Sequence, residues 1–194
     1  MKNIKLYLKE FIYRCGKKWD KMSANLETID EYVETKLNKK PEKYKKGSSG
    51  IYTAEYRLAH YCGDRYNGIL RKGIFDESID KCSKDIKKYK TKDVIIVYRG
   101  VKSEVMDNTI KAAKDIKDID IYDKAFLNTS LIKGRQTVTD VNLRIYIPKG
   151  TCAFYAGDVN EELYSQEVIV QKGAKMKIIS RDRNYINCYL VSTD

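Results

Sequence analysis

The sequence contains few of the residues on which several common kinds of catalytic and metal sites depend. Its only histidine is His60, which argues against a Ser-His-Asp or Cys-His catalytic mechanism. Its five cysteines are scattered, without a Cys-x-x-Cys pair, so neither a disulfide framework nor a Cys/His zinc site is expected. We therefore interpret His60 as an ordinary helix residue and expect no bound metal.

Long apolar stretches are also missing. No run of apolar residues approaches the length of a membrane-spanning helix. Near the amino terminus, Lys5, Lys9 and Glu10 interrupt what would be the apolar core of a signal peptide. With 194 residues, of which 42% are hydrophobic, the chain is long enough for one sizeable domain. The prediction is a globular protein that is cytoplasmic as synthesised.

Acidic residues are too few to balance the basic ones, and the formal net charge is +11. Residues 1–50 contain thirteen Lys or Arg and seven acidic residues, a net +6, whereas residues 151–194 contain five against six. We predict a basic, helical N-terminal segment over residues 1–50 and a core over residues 51–194, in a single domain overall. A basic surface favours an anionic partner such as nucleic acid, phospholipid or an acidic protein face. The alternative is that these lysines are simply solvated.

The periodicity changes from helical in the first half of the chain to strand-like in the second. Apolar residues recur at helical spacing over residues 26–37 and 79–89, and a further helix is expected over residues 54–71. The later segments are β-branched or alternating, as is typical of strands: DVIIVYRGV, VNLRIYIP, TCAFYAG, QEVIVQKG, AKMKIIS and YINCYLVS. Helices first and strands after them indicate an α+β fold.

Five residues in these segments are candidates for a ligand site. Arg99 ends an apolar strand, where its planar guanidinium can bind a phosphate or carboxylate bidentately, and Gly100 allows close approach to the backbone. Asn67 and Arg71 are four residues apart on a predicted helix and therefore share a face. Glu167 begins a strand, from which its carboxylate could point into a cleft. Taken singly, each of the five is more often a structural or solvated residue.

A run of three short polar residues, Asn128-Thr129-Ser130, interrupts the apolar segment AFLNTSLI. It is one of five short motifs, which occur in the order YNGILR, VYRGV, AFLNTSL, LRIYIPKGTCAFYAG and YSQEVIV. In this order the motifs resemble the catalytic domain of bacterial mono-ADP-ribosyltransferases of the arginine–STS–glutamate class. That class includes the Rho-modifying exoenzymes and the enzymatic components of binary toxins. The resemblance covers residues 51–179, and the ordered set is more specific than any single motif.

The resemblance implies a fold, a substrate and a set of binding residues. Two small β-sheets would pack across each other with helices on the N-terminal side, and NAD would bind as the substrate in the cleft between them. The polar triplet would hold the nicotinamide ribose, Arg99 would bind phosphate, and Gly100 would bind the nicotinamide amide. The implied NAD-binding residues are Asn67, Arg71, Arg99, Gly100, Asn128, Thr129, Ser130 and, as a looser candidate, Arg135.

The resemblance also makes Glu167 the catalytic glutamate, with Arg99 and Ser130 as its partners in the site. Breaking the nicotinamide–ribose bond develops positive charge on the sugar, and a fixed carboxylate stabilises that charge more in the transition state than in the substrate. Short polar side chains nearby would fix the rotamer of the glutamate, and a phosphate clamp would hold the rest of NAD in place. This chemistry requires neither a metal nor a histidine.

Two positions depart from the family pattern. Asn128 stands where the family has the first serine of its Ser-Thr-Ser triplet, and its side chain is longer. Ser165 stands two residues before Glu167, where the family usually has a Glu or Gln that contacts the acceptor, and Gln166 lies between them. Because serine is short and uncharged, we expect that arginine is disfavoured as the modified side chain.

Three functions follow from these observations. The leading one is an NAD-dependent mono-ADP-ribosyltransferase acting on a macromolecule, with a protein acceptor favoured slightly over nucleic acid. The second is an NAD glycohydrolase, in which water replaces the acceptor at the same site. The third is an inactive domain that binds an anionic partner through residues 1–50. For a toxin or a bacterial or phage effector, the missing signal peptide implies injection, another secretion route or expression inside the host.

Overall fold

A computed structural model describes residues 16–38, 54–62, 64–74, 76–157 and 166–194 of the chain. The helices, numbered α1 to α6 in chain order, are Gly16–Asp20, Ile29–Lys36, Ala54–Tyr61, Asp64–Arg71, Glu77–Ile86 and Ser103–Ala113. The strands, numbered β1 to β8, are Ile95–Val101, Ile121–Asp123, Leu127–Ser130, Val141–Ile147, Ala153–Gly157, Glu167–Val170, Ala174–Arg181 and Ile186–Ser192. Within the described ranges, no helix has the length and apolarity needed to cross a membrane.

The eight strands are hydrogen-bonded in the order β2-β7-β8-β4-β1-β3-β6-β5. Strand β1 pairs with β4 along its whole length, but it meets β3 only where Tyr98 stands opposite Ser130. This single contact joins a group of five strands to a group of three. The α+β class is confirmed, and the two expected sheets correspond to these two groups. They differ from separate sheets because hydrogen bonding continues across the β1–β3 junction.

Helix α5 shows how the helical pattern of the sequence becomes a buried face. The Asp76 side chain caps the helix by accepting a hydrogen bond from the Ser78 N–H at 2.7 Å. Ile79, Cys82 and Ile86 recur at helical spacing and are at most 2% exposed. They belong to an apolar cluster that includes residues of α3, α4, β5 and β6, so the helices cover one face of the three-strand group.

The helical segment predicted over residues 54–71 is two helices rather than one. Helix α3 ends at Tyr61 and α4 begins at Asp64. Cys62, between them, is fully buried, and Gly63 lies outside the described residues. Both helices contribute residues to the same apolar cluster.

Periodicity did not predict the elements between β1 and β3. Helix α6 follows β1 directly and buries Met106, Thr109 and Ala113, which are three and four residues apart. Strand β2 has only three residues and pairs with β7. Helix α6 is therefore an exception to the order of helices first and strands after. It connects β1, in the middle of the sheet, to β2 at one edge.

Strand β4 follows the predicted alternation on one face only. Leu143 and Ile145 lie in the larger apolar core. On the opposite face Arg144 is also buried, at 2% exposure. Its guanidinium donates to carboxylate oxygens of Asp182 at 2.6 Å and of Asp20 at 3.1 Å. Two carboxylates satisfy the charge of the arginine and make its burial possible.

The first helix packs on this second face of the sheet. Trp19 is fully buried, and its ring centroid lies 5.6 Å from that of Tyr146. Residues 16–38, the described part of the predicted N-terminal segment, thus contribute to the core. Residues 1–15 and 39–50 lie outside the described ranges, and the boundary near residue 50 stays a prediction.

Candidate active site

Three strands that are neighbours in the sheet bring the predicted site residues together. Arg99 lies near the end of β1, the polar triplet ends β3, and Glu167 begins β6. Ser130 stands opposite Glu167 in the β3–β6 register and opposite Tyr98 in the β1–β3 register. The strand segments that carry the arginine, the triplet and the glutamate are therefore adjacent in the sheet, although they come from well-separated parts of the sequence.

Strand alternation divides the triplet between the two faces of the sheet. Because successive side chains in a strand point to opposite faces, Asn128 and Ser130 share the face of Glu167, and Thr129 points the other way. Thr129 is 4% exposed, and its hydroxyl donates to the Val168 carbonyl at 2.7 Å. Its described contact is with the neighbouring strand, and its role in NAD binding stays a prediction.

Asn128 contacts the candidate catalytic carboxylate directly. Its Nδ2 donates to Glu167 Oε1 at 2.8 Å, and its Oδ1 accepts from Asn67 Nδ2 at 2.8 Å. Ser130 Oγ instead donates to the Ile132 carbonyl at 2.9 Å and accepts from the Ile132 N–H at 3.0 Å. The asparagine of the triplet therefore restricts the rotamer of the glutamate. The described contacts of the serine close the turn after β3, and its catalytic role stays a prediction.

Two arginines predicted to bind NAD, Arg99 and Arg71, converge on one buried aspartate. Arg99 Nη2 donates to Asp123 Oδ2 at 3.0 Å. Arg71 donates to the two Asp123 oxygens, from Nε at 3.3 Å and from Nη2 at 3.1 Å. The side chains of Arg99 and Asp123 are 8% and 4% exposed, whereas that of Arg71 is 30% exposed. The cluster therefore consists of a buried ion pair, Arg99–Asp123, and a more accessible guanidinium, that of Arg71.

The charges of this cluster do not cancel. Burial alone would raise the pKa of Asp123, but Arg99 and Arg71 lower it below its usual value, so the carboxyl is ionised. Burial lowers the pKa of Arg99; Asp123 opposes this shift and Arg71 adds to it. Arginine nevertheless remains protonated in proteins. Two guanidiniums against one carboxylate leave one positive charge, which suits an anionic ligand group.

Sequence reasoning did not identify Asp123. The available signal was an acidic residue between two apolar positions, Ile121 and Ala125, in a segment that reads as buried. A buried carboxylate requires a cationic partner. The partners, however, lie 24 and 52 residues away in the sequence. The local pattern therefore predicts that Asp123 has a cationic partner, but it does not identify Arg99 or Arg71 as that partner.

Gly100 is packed against the loop that follows β3. A Cβ at this position would overlap the Thr137 carbonyl oxygen and would lie 2.5 Å from Thr139 Oγ1. The sequence predicted a glycine that lets a ligand approach the backbone. In the structure the group that approaches closely is the chain's own Thr137, and the contact with the nicotinamide amide stays a prediction.

Gly100→Ala is expected to lower the free energy of unfolding by about 1–3 kcal/mol, because the loop must move to admit the methyl group. Urea denaturation measures the change. Gly68→Ala is the matched control, since a Cβ at Gly68 on helix α4 meets nothing within 4 Å. That substitution is expected to raise the free energy of unfolding by up to about 1 kcal/mol through helix propensity. Equal effects at the two glycines would contradict the packing role of Gly100.

The remaining predicted residues lie around this centre. Gln166 has a left-handed backbone with a φ of 46°, and its side-chain Oε1 accepts a hydrogen bond from the Tyr155 hydroxyl. Its carbonyl accepts from the Leu131 N–H at 3.1 Å. Arg135 is half-buried in the loop after β3, and its phosphate contact stays a prediction. Ser165 lies outside the described residues.

His60 lies apart from these contacts. It is exposed on helix α3, and its ring centroid is 4.1 Å from that of Tyr56. Across the described part of the chain, no group of three or more His, Cys, Asp or Glu side chains could hold a metal ion.

Comparison with known proteins agrees with this arrangement of strands and motifs. The family model for ADP-ribosyltransferase exoenzymes matches residues 17–192. Plx2a, an ADP-ribosyltransferase toxin from Paenibacillus larvae, is 18% identical with a TM-score of 0.60, over 93% of this chain and 98% of that one. The C3 exoenzyme of Clostridium limosum is 19% identical with a TM-score of 0.61, over 87% of this chain and 96% of that one.

Exoenzyme S from Pseudomonas aeruginosa, solved with carba-NAD bound, is 17% identical with a TM-score of 0.53, over 75% of this chain and 76% of that one. No curated protein sequence matches this chain at a significant level. Identities this low show a shared fold, and the family model adds agreement in sequence that begins in helix α1 rather than at residue 51. The match confirms the resemblance drawn from the five motifs, and this chain belongs to the ADP-ribosyltransferase exoenzyme family.

Proposed function

We propose that this protein is a mono-ADP-ribosyltransferase that cleaves the nicotinamide–ribose bond of NAD and transfers ADP-ribose to a side chain of a protein acceptor. Family membership establishes NAD-dependent ADP-ribosyl transfer as the class of reaction. The observation that carries the assignment of residues is the 2.8 Å hydrogen bond from Asn128 to Glu167, on the face that Glu167 shares with Ser130.

The arginine cluster supports a site for the phosphates of NAD. Arg71 is accessible enough to contact a ligand, and Arg99 belongs to the buried ion pair with Asp123 beneath it. Asp123 holds both guanidiniums in place and leaves one positive charge uncompensated. A diphosphate group would bind here through charge-assisted hydrogen bonds from planar guanidinium groups. In Exoenzyme S, which shares this fold, the bound molecule is carba-NAD.

Glu167 supplies the catalytic carboxylate in this proposal. Its position at the start of a strand and its bond to Asn128 hold it in a fixed direction before the substrate binds. As the nicotinamide–ribose bond breaks, positive charge develops on the ribose, and a carboxylate at this place stabilises that charge. Binding of the distant phosphates by the arginine cluster keeps the ribose in register with the carboxylate.

The acceptor is proposed to be a protein and to approach beside Gln166. This residue directly precedes Glu167 in the sequence, and its side-chain Oε1 accepts a hydrogen bond from the Tyr155 hydroxyl. A protein is preferred to nucleic acid because the motifs resemble those of Rho-modifying exoenzymes, whose acceptor is a protein. Ser165, also assigned to the acceptor from the sequence, belongs to the segment outside the described residues.

Incubation with NAD labelled on its adenylate half, with and without cell lysate, tests the proposal. We expect label on material that is sensitive to protease and resistant to nuclease, and we expect Glu167→Gln to abolish it. Label that nuclease removes would identify a nucleic acid acceptor instead. Free ADP-ribose as the sole product would identify an NAD glycohydrolase. Intact NAD after incubation with the wild-type protein would overturn the proposed reaction.

We further propose that the protein acts as a toxin inside a target cell after secretion or delivery. Plx2a, which has a similar fold, is a toxin. Expression of the wild-type chain in cultured cells is expected to inhibit their growth, whereas Glu167→Gln is expected to be harmless. Equal growth inhibition by both forms would show that toxicity does not depend on the transferase site.

A further inference from the structure

The side chain of Asn67 is fully engaged within the protein. It lies on helix α4 and is 6% exposed. Its Nδ2 donates to Asn128 Oδ1 at 2.8 Å and to the Phe126 carbonyl at 3.1 Å, and its Oδ1 accepts from the Phe126 N–H at 3.0 Å. A side-chain amide has two N–H donors, and both are used in these contacts. Asn67 therefore has no further donor to offer a ligand.

The orientation of the Asn67 amide follows from the backbone. Phe126 presents an N–H and a carbonyl, which require an oxygen and an N–H of Asn67, respectively. With this orientation set, the second N–H of Asn67 faces Asn128 and requires an oxygen there. The Asn128 amide is thereby placed with Oδ1 toward the helix and Nδ2 toward Glu167, to which it donates at 2.8 Å.

The reversed orientation of Asn128 would be unfavourable at both of its ends. Its oxygen would face the Glu167 carboxylate, and its NH2 group would face the NH2 group of Asn67. Each of these contacts would set like partial charges against each other and leave polar groups without partners in a partly buried place. The hydrogen bond from Asn67 thus determines which end of the Asn128 amide faces the catalytic carboxylate.

The register of the strands explains why an asparagine suits position 128. Glu167 stands opposite Ser130, while Asn128 stands opposite Ile169, so Asn128 and Glu167 are diagonal neighbours. Diagonal positions across an antiparallel pair are about 7–8 Å apart. An amide spans this gap and still reaches helix α4 with its other end, whereas a serine hydroxyl at this position would be shorter by one heavy atom.

We propose that Asn67 is a positioning residue for Glu167, which acts through Asn128 and not through contact with NAD. The inference rests on the proposed function, since it assigns the catalytic carboxylate to Glu167. It replaces a binding role for Asn67 with a role in orientation. The acceptor is not involved, so nicotinamide release from NAD by the purified full-length chain is a sufficient assay.

A double-mutant cycle at Asn67 and Asn128 distinguishes a role in orienting Glu167 from a role in binding NAD. Asn67→Ala is expected to lower kcat for nicotinamide release by about 10- to 100-fold, as a misplaced catalytic group does, with KM for NAD changed less than twofold. In an Asn128→Ala background the same substitution is expected to lower kcat less than twofold. The reason is that the hydrogen-bonded relay from Asn67 through Asn128 to Glu167 is already broken there. A rise in KM at unchanged kcat, or equal losses in both backgrounds, would overturn the relay.

Asn128→Asp tests the same relay without touching the bonds between Asn67 and Phe126. It keeps an oxygen for Asn67 but replaces the donor to Glu167 with a second carboxylate. Neighbouring carboxylates raise the pKa of one of the pair, so the acid limb of the kcat–pH profile is expected to move to higher pH. A purely structural role for position 128 would lower kcat without moving this limb, and that result would count against the proposal.

Asn187→Ala is the matched control for lost stability. Asn187 is 1% exposed and accepts a hydrogen bond from Arg144 at 2.6 Å, on strand β8 and away from β3 and β6. The Asn187→Ala substitution is expected to lower the thermal midpoint of unfolding and to leave kcat unchanged. A fall in kcat like that of Asn67→Ala would attribute both losses to general destabilisation and overturn the relay. Wild-type protein that releases no nicotinamide would overturn the proposed function itself.

Discussion

Glu167→Gln is expected to lower kcat for NAD cleavage by about 10²- to 10³-fold, with KM for NAD nearly unchanged. Glutamine keeps the size of the side chain and the oxygen that accepts the 2.8 Å hydrogen bond from Asn128. What it removes is the negative charge. That charge contributes chiefly in the transition state, when positive charge develops on the ribose, so the loss falls on kcat. Nicotinamide release from NAD measures both constants.

Glu77→Gln is the control for a change of charge alone. Glu77 lies on helix α5 with a side chain that is 77% exposed, and it pairs with Lys81 at 3.0 Å. Exposed pairs of this kind contribute about 0–1 kcal/mol, so activity and stability should both remain near the wild-type values. A Glu167→Gln protein that retains more than a tenth of the wild-type kcat would rule out this carboxylate as the catalytic one.

Asp123→Asn is expected to lower the free energy of unfolding by about 3–5 kcal/mol. Arg99 and Arg71 both pair with the carboxylate of Asp123. Asparagine keeps an oxygen for the Ala125 N–H, which donates to Asp123 at 2.9 Å. It leaves the buried guanidinium of Arg99 without a counter-charge, and an uncompensated buried charge is costly. Urea denaturation at neutral pH measures this loss.

The pH dependence of stability provides a second measure of the same interaction. The guanidiniums of Arg99 and Arg71 outweigh the effect of burial and hold the pKa of Asp123 below its usual value of about 4. A carboxyl with a depressed folded-state pKa contributes stability above its unfolded-state pKa and loses it as the pH falls through the folded-state value. The difference in stability between wild type and Asp123→Asn is therefore expected to shrink as the pH is lowered below about 4.

Asp93→Asn is the matched control for this substitution. Asp93 pairs with Lys36 at 2.9 Å, and its side chain is 55% exposed. Its loss is expected to cost at most about 1 kcal/mol. If Asp123→Asn were no more destabilising than Asp93→Asn, Asp123 would not be the residue that makes the burial of Arg99 possible.

The amino-acid sequence alone determined the class of fold, the positions of most of the strands and the family. Strands and helices follow short-range periodicities of two and 3.6 residues, which a single segment reveals without knowledge of its partners. The candidate residues Arg99 and Glu167 could be identified because each one ends or begins such a segment within an ordered set of motifs. Helix α6 and the three-residue strand β2 escaped this reasoning, since neither has a long periodic pattern of its own.

Only the tertiary structure decided how these residues work together. Asn67 and Asn128 are 61 residues apart, and Asn128 and Glu167 are 39 apart. Their contacts depend on β3 lying between β1 and β6, on the exact pairing of Ser130 with Glu167, and on α4 packing over that face. A one-residue shift of the register would turn Asn128 to the opposite face of the sheet. Local sequence patterns carry no information about such pairings, because the free energy that selects them comes from packing and hydrogen bonds between distant segments.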